Sequence, residues 1–173
     1  MFNRWLQVIG KIDYVRKKDR PDVKCILCSV RDDDERVKIF KIYQDDITFV
    51  SLNAFPYNPG HLLVVPNRHI KSFRELTKAE IIHISRLIQG LQLLMIDLFN
   101  NTGFNIGINE GPNSGGSIEH FHYHIVPRYN NELGFIDLIS NSRIAIEGLE
   151  SVLKRYKEKI NDYINKEHFK NFK

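Results

Sequence analysis

His120-Phe121-His122-Tyr123-His124-Ile125-Val126-Pro127-Arg128 is the stretch that decides how the rest of this chain is read. Phe121, Tyr123, Ile125 and Val126 favour extended backbone. Successive side chains of a strand point to opposite faces, so His120, His122 and His124 share one face while Phe121, Tyr123 and Ile125 take the other. Neighbouring imidazoles in such a row start about 7 Å apart. Imidazoles can bind a metal, attack an electrophile or donate to an anion. The chain holds seven His. Three of them fall at strand period within this one run, which argues against a polar face that merely happens to be rich in His.

The loop that feeds this run is Asn109-Glu110-Gly111-Pro112-Asn113-Ser114-Gly115-Gly116-Ser117. Its glycines let backbone N–H groups turn towards an anion, and Ser117 adds a hydroxyl donor. A Gly-rich loop alone is usually a turn; beside a row of imidazoles it suits a phosphate. A neutral imidazole is a competent nucleophile at phosphorus, and a neighbouring imidazole can donate to the charged oxygens. One histidine of the row can therefore attack while another holds the phosphate.

The two cysteines, Cys25 and Cys28, form a C-x-x-C pair. With His69 and one histidine of the run they can complete a tetrahedral Cys2His2 zinc site. The competing reading is a reduced cysteine pair beside a surface histidine, and the residues alone leave the two about even. A redox pair is disfavoured, because the cysteines follow the charged, Pro-containing stretch 16–24 rather than a strand.

Working outward, 37–43 and 47–52 read as strands around a Gln44-Asp45-Asp46 connection, and 61–65 as a third strand ended by Pro66. Thr77-Lys78-Ala79-Glu80 fits a capping box. The helix it opens carries Ile81, Ile84, Ile88, Leu91, Met95 and Leu98 at helical spacing as far as Phe99. Asn100, Asn101 and Gly103 end it. Residues 104–109 read as a fourth strand, the histidine run as a fifth, and about 144–164 as a C-terminal helix. Residues 1–36 look irregular, with Leu6 to Tyr14 able to form a short helix or an edge strand. Five short strands around one long helix imply a mostly antiparallel α+β domain, and no linker divides residues 1–173.

Composition sets the outer limits. A chain of 173 residues can bury a substantial core as one domain. No apolar run matches a membrane span, and residues 1–10 lack the h-region of a signal peptide, so a cytoplasmic location is expected. From Ser151 onward, seven Lys and Arg stand against three Asp and Glu, which accounts for the whole formal charge of +4. A solvated helix face explains such a tail better than a nucleic-acid surface, for no aromatic platform is interleaved with it.

Together these residues resemble the histidine triad (HIT) superfamily of nucleotide hydrolases and transferases. The likeness rests on His120 to Val126, on 49–53, on Pro59 to Pro66, on Arg68-His69-Ile70, on 103–109 and on Gly115-Gly116-Ser117. It spans about residues 25–136, and within the superfamily the chain is similar to the branch of the diadenosine tetraphosphate phosphorylases and HIT hydrolases. The resemblance implies a HIT-like fold and a nucleotidyl-histidine intermediate, formed on dinucleoside polyphosphates or adenylylated small molecules. It makes His122 the nucleophile, with His124 and Ser117 beside it on the phosphate. Asn53, His61, Asn109, Gly115 and Gly116 become substrate-binding residues. His120 joins Cys25, Cys28 and His69 on a structural zinc. A homodimer with one sheet across both subunits is implied as well. Water as acceptor gives a hydrolase and inorganic phosphate a phosphorylase. A non-catalytic, zinc-stabilised nucleotide-binding module is the alternative. Gly116 stands where many members have Gln, and His124 argues against hexose-phosphate nucleotidyl transfer, whose enzymes have Gln there.

Overall fold

The structure, a computed structural model, describes residues 20–101, 103–130 and 147–164. Five strands form one sheet: β1 (Lys41–Gln44), β2 (Thr48–Leu52), β3 (Leu62–Pro66), β4 (Gly103–Ile108) and β5 (Tyr123–Arg128). Among the described residues three α-helices accompany it: α1 (Ile26–Arg31), α2 (Lys78–Phe99) and α3 (Leu149–Ile164). The strand order is β1-β2-β3-β5-β4, and every neighbouring pair is antiparallel. The α+β class read from the sequence is the class found. The expected Leu6 to Tyr14 element and the residues 144–146 at the head of the C-terminal helix lie outside the described residues.

β2 and β3 are buried along their whole length, as their continuous apolar runs require. One face of the sheet presents Val50, Leu52, Leu62, Val64 and Ile125 to α2 and α3. Ile84, Leu87, Leu91, Leu94 and Met95 of α2 meet that face, as do Val152, Tyr156 and Ile160 of α3. The opposite face packs Phe49, Leu63 and Val65 against Leu27 and Val30 of α1. This second layer is small, and the site described below occupies the same face.

α2 begins and ends as its sequence predicts. The Glu80 N–H donates to Thr77 Oγ1 at 3.2 Å and the Thr77 N–H to Glu80 Oε2 at 2.8 Å, completing a capping box. Asn100 closes the helix in the left-handed conformation. By length and composition α2 is long and apolar enough to cross a membrane, contrary to the sequence reading. In the fold its apolar stripe is spent on the sheet and α3.

Three local expectations need correction. Cys25 caps a helix, so 20–36 is not wholly irregular. β1 starts only at Lys41, and a register shift between Lys41 and Tyr43 interrupts the ladder within it. The histidine run is also not all strand: regular pairing starts at Tyr123, and His120 and His122 precede it. Alternation survives this irregularity, since Phe121 still joins the α2 side.

The helix cap is also a tertiary tie. Arg68 Nε and Nη2 each donate to the Glu80 carboxylate at 2.8 Å, joining α2 to the turn that follows β3. The Arg68 guanidinium, helped by the Thr77 N–H and hydroxyl, lowers the Glu80 carboxyl to about 2. A carboxyl lower in the folded state than in the unfolded chain stabilises above its unfolded value of about 4.5 and loses that contribution as pH falls towards 2. Glu80→Gln is expected to cost about 1–3 kcal/mol at pH 7. Urea unfolding at pH 7 and pH 3 should show the gap between wild type and variant shrinking at the lower pH.

Candidate functional site

The site is built where β5 crosses between β3 and β4. His124 lies directly opposite Leu63 on one side and Gly107 on the other, so its ring takes the face that α1 covers in part. His61, one residue before β3, is wholly buried beneath it. Asn53 Oδ1 accepts from the Phe55 N–H at 3.0 Å, which turns Asn53 Nδ2 to within 3.3 Å of His61 Nδ1. The Tyr57 N–H donates to the same nitrogen at 3.1 Å. His61 Nδ1 is thus an acceptor, and a neutral His61 carries its proton on Nε2. That nitrogen donates to His124 Nδ1 at 2.9 Å. His124 in turn must carry its own proton on Nε2.

His122 follows different logic. Its Nδ1 lies 2.7 Å from the His120 carbonyl, which only a protonated Nδ1 satisfies. Nε2 then keeps its lone pair. Burial lowers the His122 pKa, so the neutral, nucleophilic form is favoured. The rings of His122 and His124 are 4.8 Å apart, edge to face. The pair therefore presents a lone pair and an N–H side by side, which suits attack on phosphorus with donation to an oxygen.

A cavity opens over these two rings. Its walls include Asn53, Asn109, Gly115, Gly116 and Ser117, together with Ile26, Leu27 and Leu63. Asn109 Nδ2 lies 3.2 Å from His124 Nε2; with the ring proton on that nitrogen, the carboxamide must turn over so that its oxygen accepts from Nε2–H. Gly115 has φ +82°, a conformation that L side chains avoid. A Cβ on Gly116 would lie 3.1 Å from the Asn109 carbonyl oxygen, so the loop packs too tightly here for the Gln of many HIT proteins without a shift. Tyr57, to which the sequence assigns no role, stacks on His124 at 5.9 Å and contacts His61 at 4.9 Å. Ile26 and Leu27 were missed altogether; their position inside the C-x-x-C pair was the available signal.

His120 leaves the row. Its Nε2 donates to the Pro66 carbonyl at 3.0 Å, which directs the Nδ1 lone pair at Cys25 Sγ (3.5 Å) and Cys28 Sγ (3.4 Å). His69 Nδ1 is 3.3 Å from Cys28 Sγ. The four ligand atoms lie within 4.8 Å of one another. Thiolate and imidazole ligands about 2.0–2.3 Å from a tetrahedral zinc are about 3.3–3.8 Å apart, so the quartet fits after a small contraction. The His120–Pro66 bond is the outer support that metal-binding histidines usually have. Burial, with Cys25 next to it, raises the Cys28 thiol to about 11 in the absence of a cation, and burial lowers His120 to about 4. A bound dication favours the thiolate and the neutral imidazole, the two forms that ligate.

The residues expected to act together are thus divided into two groups. His122, His124, Asn53, Asn109, Gly115, Gly116 and Ser117 surround one cavity. Cys25, Cys28, His69 and His120 form a second cluster behind it. His61 departs from its expected place: it sits behind His124 and not at the cavity wall. In the basic tail, Lys159 pairs with Asp97 at 2.7 Å and Arg155 with Glu147 at 2.8 Å.

The HIT domain pattern matches residues 35–131, more than half of the chain. This protein belongs to the HIT family. It is 37% identical over 99 residues to an AP-4-A phosphorylase of Mycobacterium tuberculosis, an alignment covering 57% of this chain and 51% of that protein. Over 106 residues it is 29% identical to the asymmetrical bis(5'-nucleosyl)-tetraphosphatase of Schizosaccharomyces pombe, covering 61% of this chain and 58% of that one. The chain thus spans about half the length of the phosphorylase it matches. A Zn-bound histidine triad family protein of Mycobacterium smegmatis shares the fold at a TM-score of 0.64 and 24% identity, over 80% of this chain and 96% of that one.

The HIT chain described here should take up one zinc through the thiol cluster. Metal analysis of protein purified without added zinc should find about one equivalent, and Cys25→Ser/Cys28→Ser should remove it. A zinc-free wild type that unfolds at the same temperature with and without added zinc would reject the site.

Proposed function

We propose that this HIT protein cleaves nucleoside phosphoanhydrides, dinucleoside polyphosphates foremost, through a nucleotidyl-His122 intermediate. The observation that carries the reading is the complementary set of hydrogen-bond partners on two adjacent rings. His122 Nδ1–H is committed to the His120 carbonyl, and His124 Nδ1 is committed to His61. His122 Nε2 attacks the α-phosphorus, forming a P–N bond as the P–O bond to the leaving phosphate breaks. His124 Nε2–H and the Gly115–Ser117 loop serve the phosphate oxygens, and Asn109 orients His124. Asn53 lies towards the ribose, while Ile26 and Leu27 face the base. In the second step an oxygen of water or inorganic phosphate attacks phosphorus, the P–N bond breaks, His122 leaves as neutral imidazole with its Nδ1–H, and the proton of an attacking water passes to solvent. The names of the phosphorylase and tetraphosphatase relatives support this substrate class.

A zinc at Cys25, Cys28, His69 and His120 would serve structure in this scheme. Its chemistry is to hold thiolates and imidazoles at fixed separation. The protein's own residues do the phosphoryl work.

Diadenosine tetraphosphate, supplied with and without inorganic phosphate, tests the proposal. AMP plus ATP identifies water as the acceptor, and ADP plus ATP identifies phosphate. His122→Ala should lose at least about 1,000-fold in kcat, since it removes the nucleophile and not a helper. Full activity in that variant sinks the mechanism. Nucleotide binding without any turnover in the wild type would instead support the binding-module alternative.

The assembly we propose is a homodimer extended through β4. That strand lies at the edge of the sheet and exposes Ile106 and Ile108, while α2 exposes Leu93 and Ile96. An uncovered apolar edge strand invites pairing with a second copy. Sedimentation should give twice the chain mass of 20.3 kDa, and Ile106→Lys should shift the protein to monomer. A wild type that sediments as a monomer at micromolar concentration overturns this assembly.

A further inference from the structure

α3 lies beyond residues 35–131, the part that matches the HIT domain. It nevertheless reaches the loop that aims His61. Val152, Tyr156 and Ile160 recur every four residues and are buried, so this stripe docks α3 on the α2 side of the sheet. Tyr156 is fully buried, and its hydroxyl donates to the Gly60 carbonyl at 2.8 Å. Burial raises its phenol pKa well above the ordinary value, so it remains a donor throughout the neutral range.

Gly60 is the only position in the described 53–61 loop with positive φ, at +85°. It turns there because Phe99 and Tyr156 leave no room for more. A Cβ on Gly60 would lie 3.1 Å from the Phe99 ring and 3.3 Å from the Tyr156 hydroxyl. Phe99 meets Tyr156 edge-on at 5.4 Å, and the Arg155 guanidinium covers Phe99 at 4.5 Å. The next residue after Gly60 is His61, whose N–H donates to the Asn58 carbonyl at 3.1 Å. The phenol of α3 is therefore one peptide away from the imidazole that fixes His124.

We propose that Tyr156 is a positioning residue for the HIT reaction: by holding the Gly60 carbonyl it keeps His61 Nδ1 under the Tyr57 N–H. This registers His61 Nε2–H on His124 Nδ1 and leaves His124 Nε2–H facing the cavity. The inference rests on the proposed role of His124. Tyr156 touches neither substrate nor the reacting rings; it acts through Gly60 and His61. The loop is also tied within residues 35–131, where Asn58 Nδ2 donates to the Pro127 carbonyl at 2.8 Å and the Tyr129 hydroxyl to the Pro59 carbonyl at 2.6 Å; α3 adds the tie at Gly60, next to His61.

Tyr156→Phe keeps the ring and removes only the donor. In the wild type, 15N shifts of the histidine side chains should show both His61 and His124 as Nε2–H tautomers. In Tyr156→Phe a second tautomer of each should appear. Single-turnover formation of nucleotidyl-His122 should slow about 10- to 100-fold, as sub-ångström misplacement does, while AMP affinity changes less than about twofold. Val152→Ala is the comparison: it loosens the same helix without touching Gly60, and it should keep the wild-type tautomers and rate at a temperature where both variants are folded. Wild-type tautomers in Tyr156→Phe, or equal effects in Val152→Ala, overturn the proposal. If the wild type turns over no nucleotide, the functional reading fails on its own. The tautomer comparison still decides what Tyr156 does.

Discussion

The pairing of β3 with β5 is the constraint on which everything else in this HIT protein depends. It sets Leu63 opposite His124 and Val64 opposite Tyr123. A slip of one residue would turn His124 into the α2 core and Tyr123 into the cavity. The slip is forbidden by burial. Leu62, Val64 and Ile125 belong to the large core on one face, and Leu63 and Val65 to the small core on the other. Burying each such side chain contributes about 1.5–3 kcal/mol, and a register shift would forfeit several at once. The apolar residues of these two strands thus fix where the polar ones must stand.

Once the rings are fixed, backbone groups assign their roles. His120 and His122 each spend one nitrogen on a carbonyl, that of Pro66 for the first and that of His120 for the second. The two residues use opposite nitrogens. His120 is left with Nδ1 facing the thiols and His122 with Nε2 facing the cavity. Three chemically identical side chains are left with different free nitrogens because their hydrogen-bond partners differ. In a low-dielectric site such assignments are strong, since an unsatisfied ring nitrogen there is costly.

This explains how much could be read from the sequence. Element type was legible at β2, β3 and α2, where apolar runs, the capping box and helical spacing all agree. Which residues lie together was legible too, because the histidines, the Gly-rich loop and the C-x-x-C pair are local patterns. Position within the site was less so. His61 was expected at the substrate and lies under His124, a difference that depends on how the 53–61 loop folds back on itself. Nor does any local pattern tell that Tyr156 meets Gly60, since the two are 96 residues apart and the contact exists only through the docking of α3. Strand onset was misplaced for a similar reason: the bend at His120 is imposed by its long-range partners, not by the propensities of Phe121 and Tyr123.

α1 shows the same dependence in its smallest form. Six residues are too few to make a stable helix alone. What orders it comes from elsewhere: Leu27 and Val30 pack on Phe49, Leu63 and Val65, and the cysteines at and within its first turn face His120 and His69. Cys25 Sγ also accepts from the Cys28 N–H at 3.4 Å, so the sulfur that faces His120 caps the helix. Ile26 and Leu27, held between those sulfurs, are cavity wall. The thiol cluster and the cavity therefore share one short helix on one side, and His120 and His122 lie two residues apart on the other. A group that draws the two cysteines towards His120 sets the cavity wall and the His122 ring in the same act.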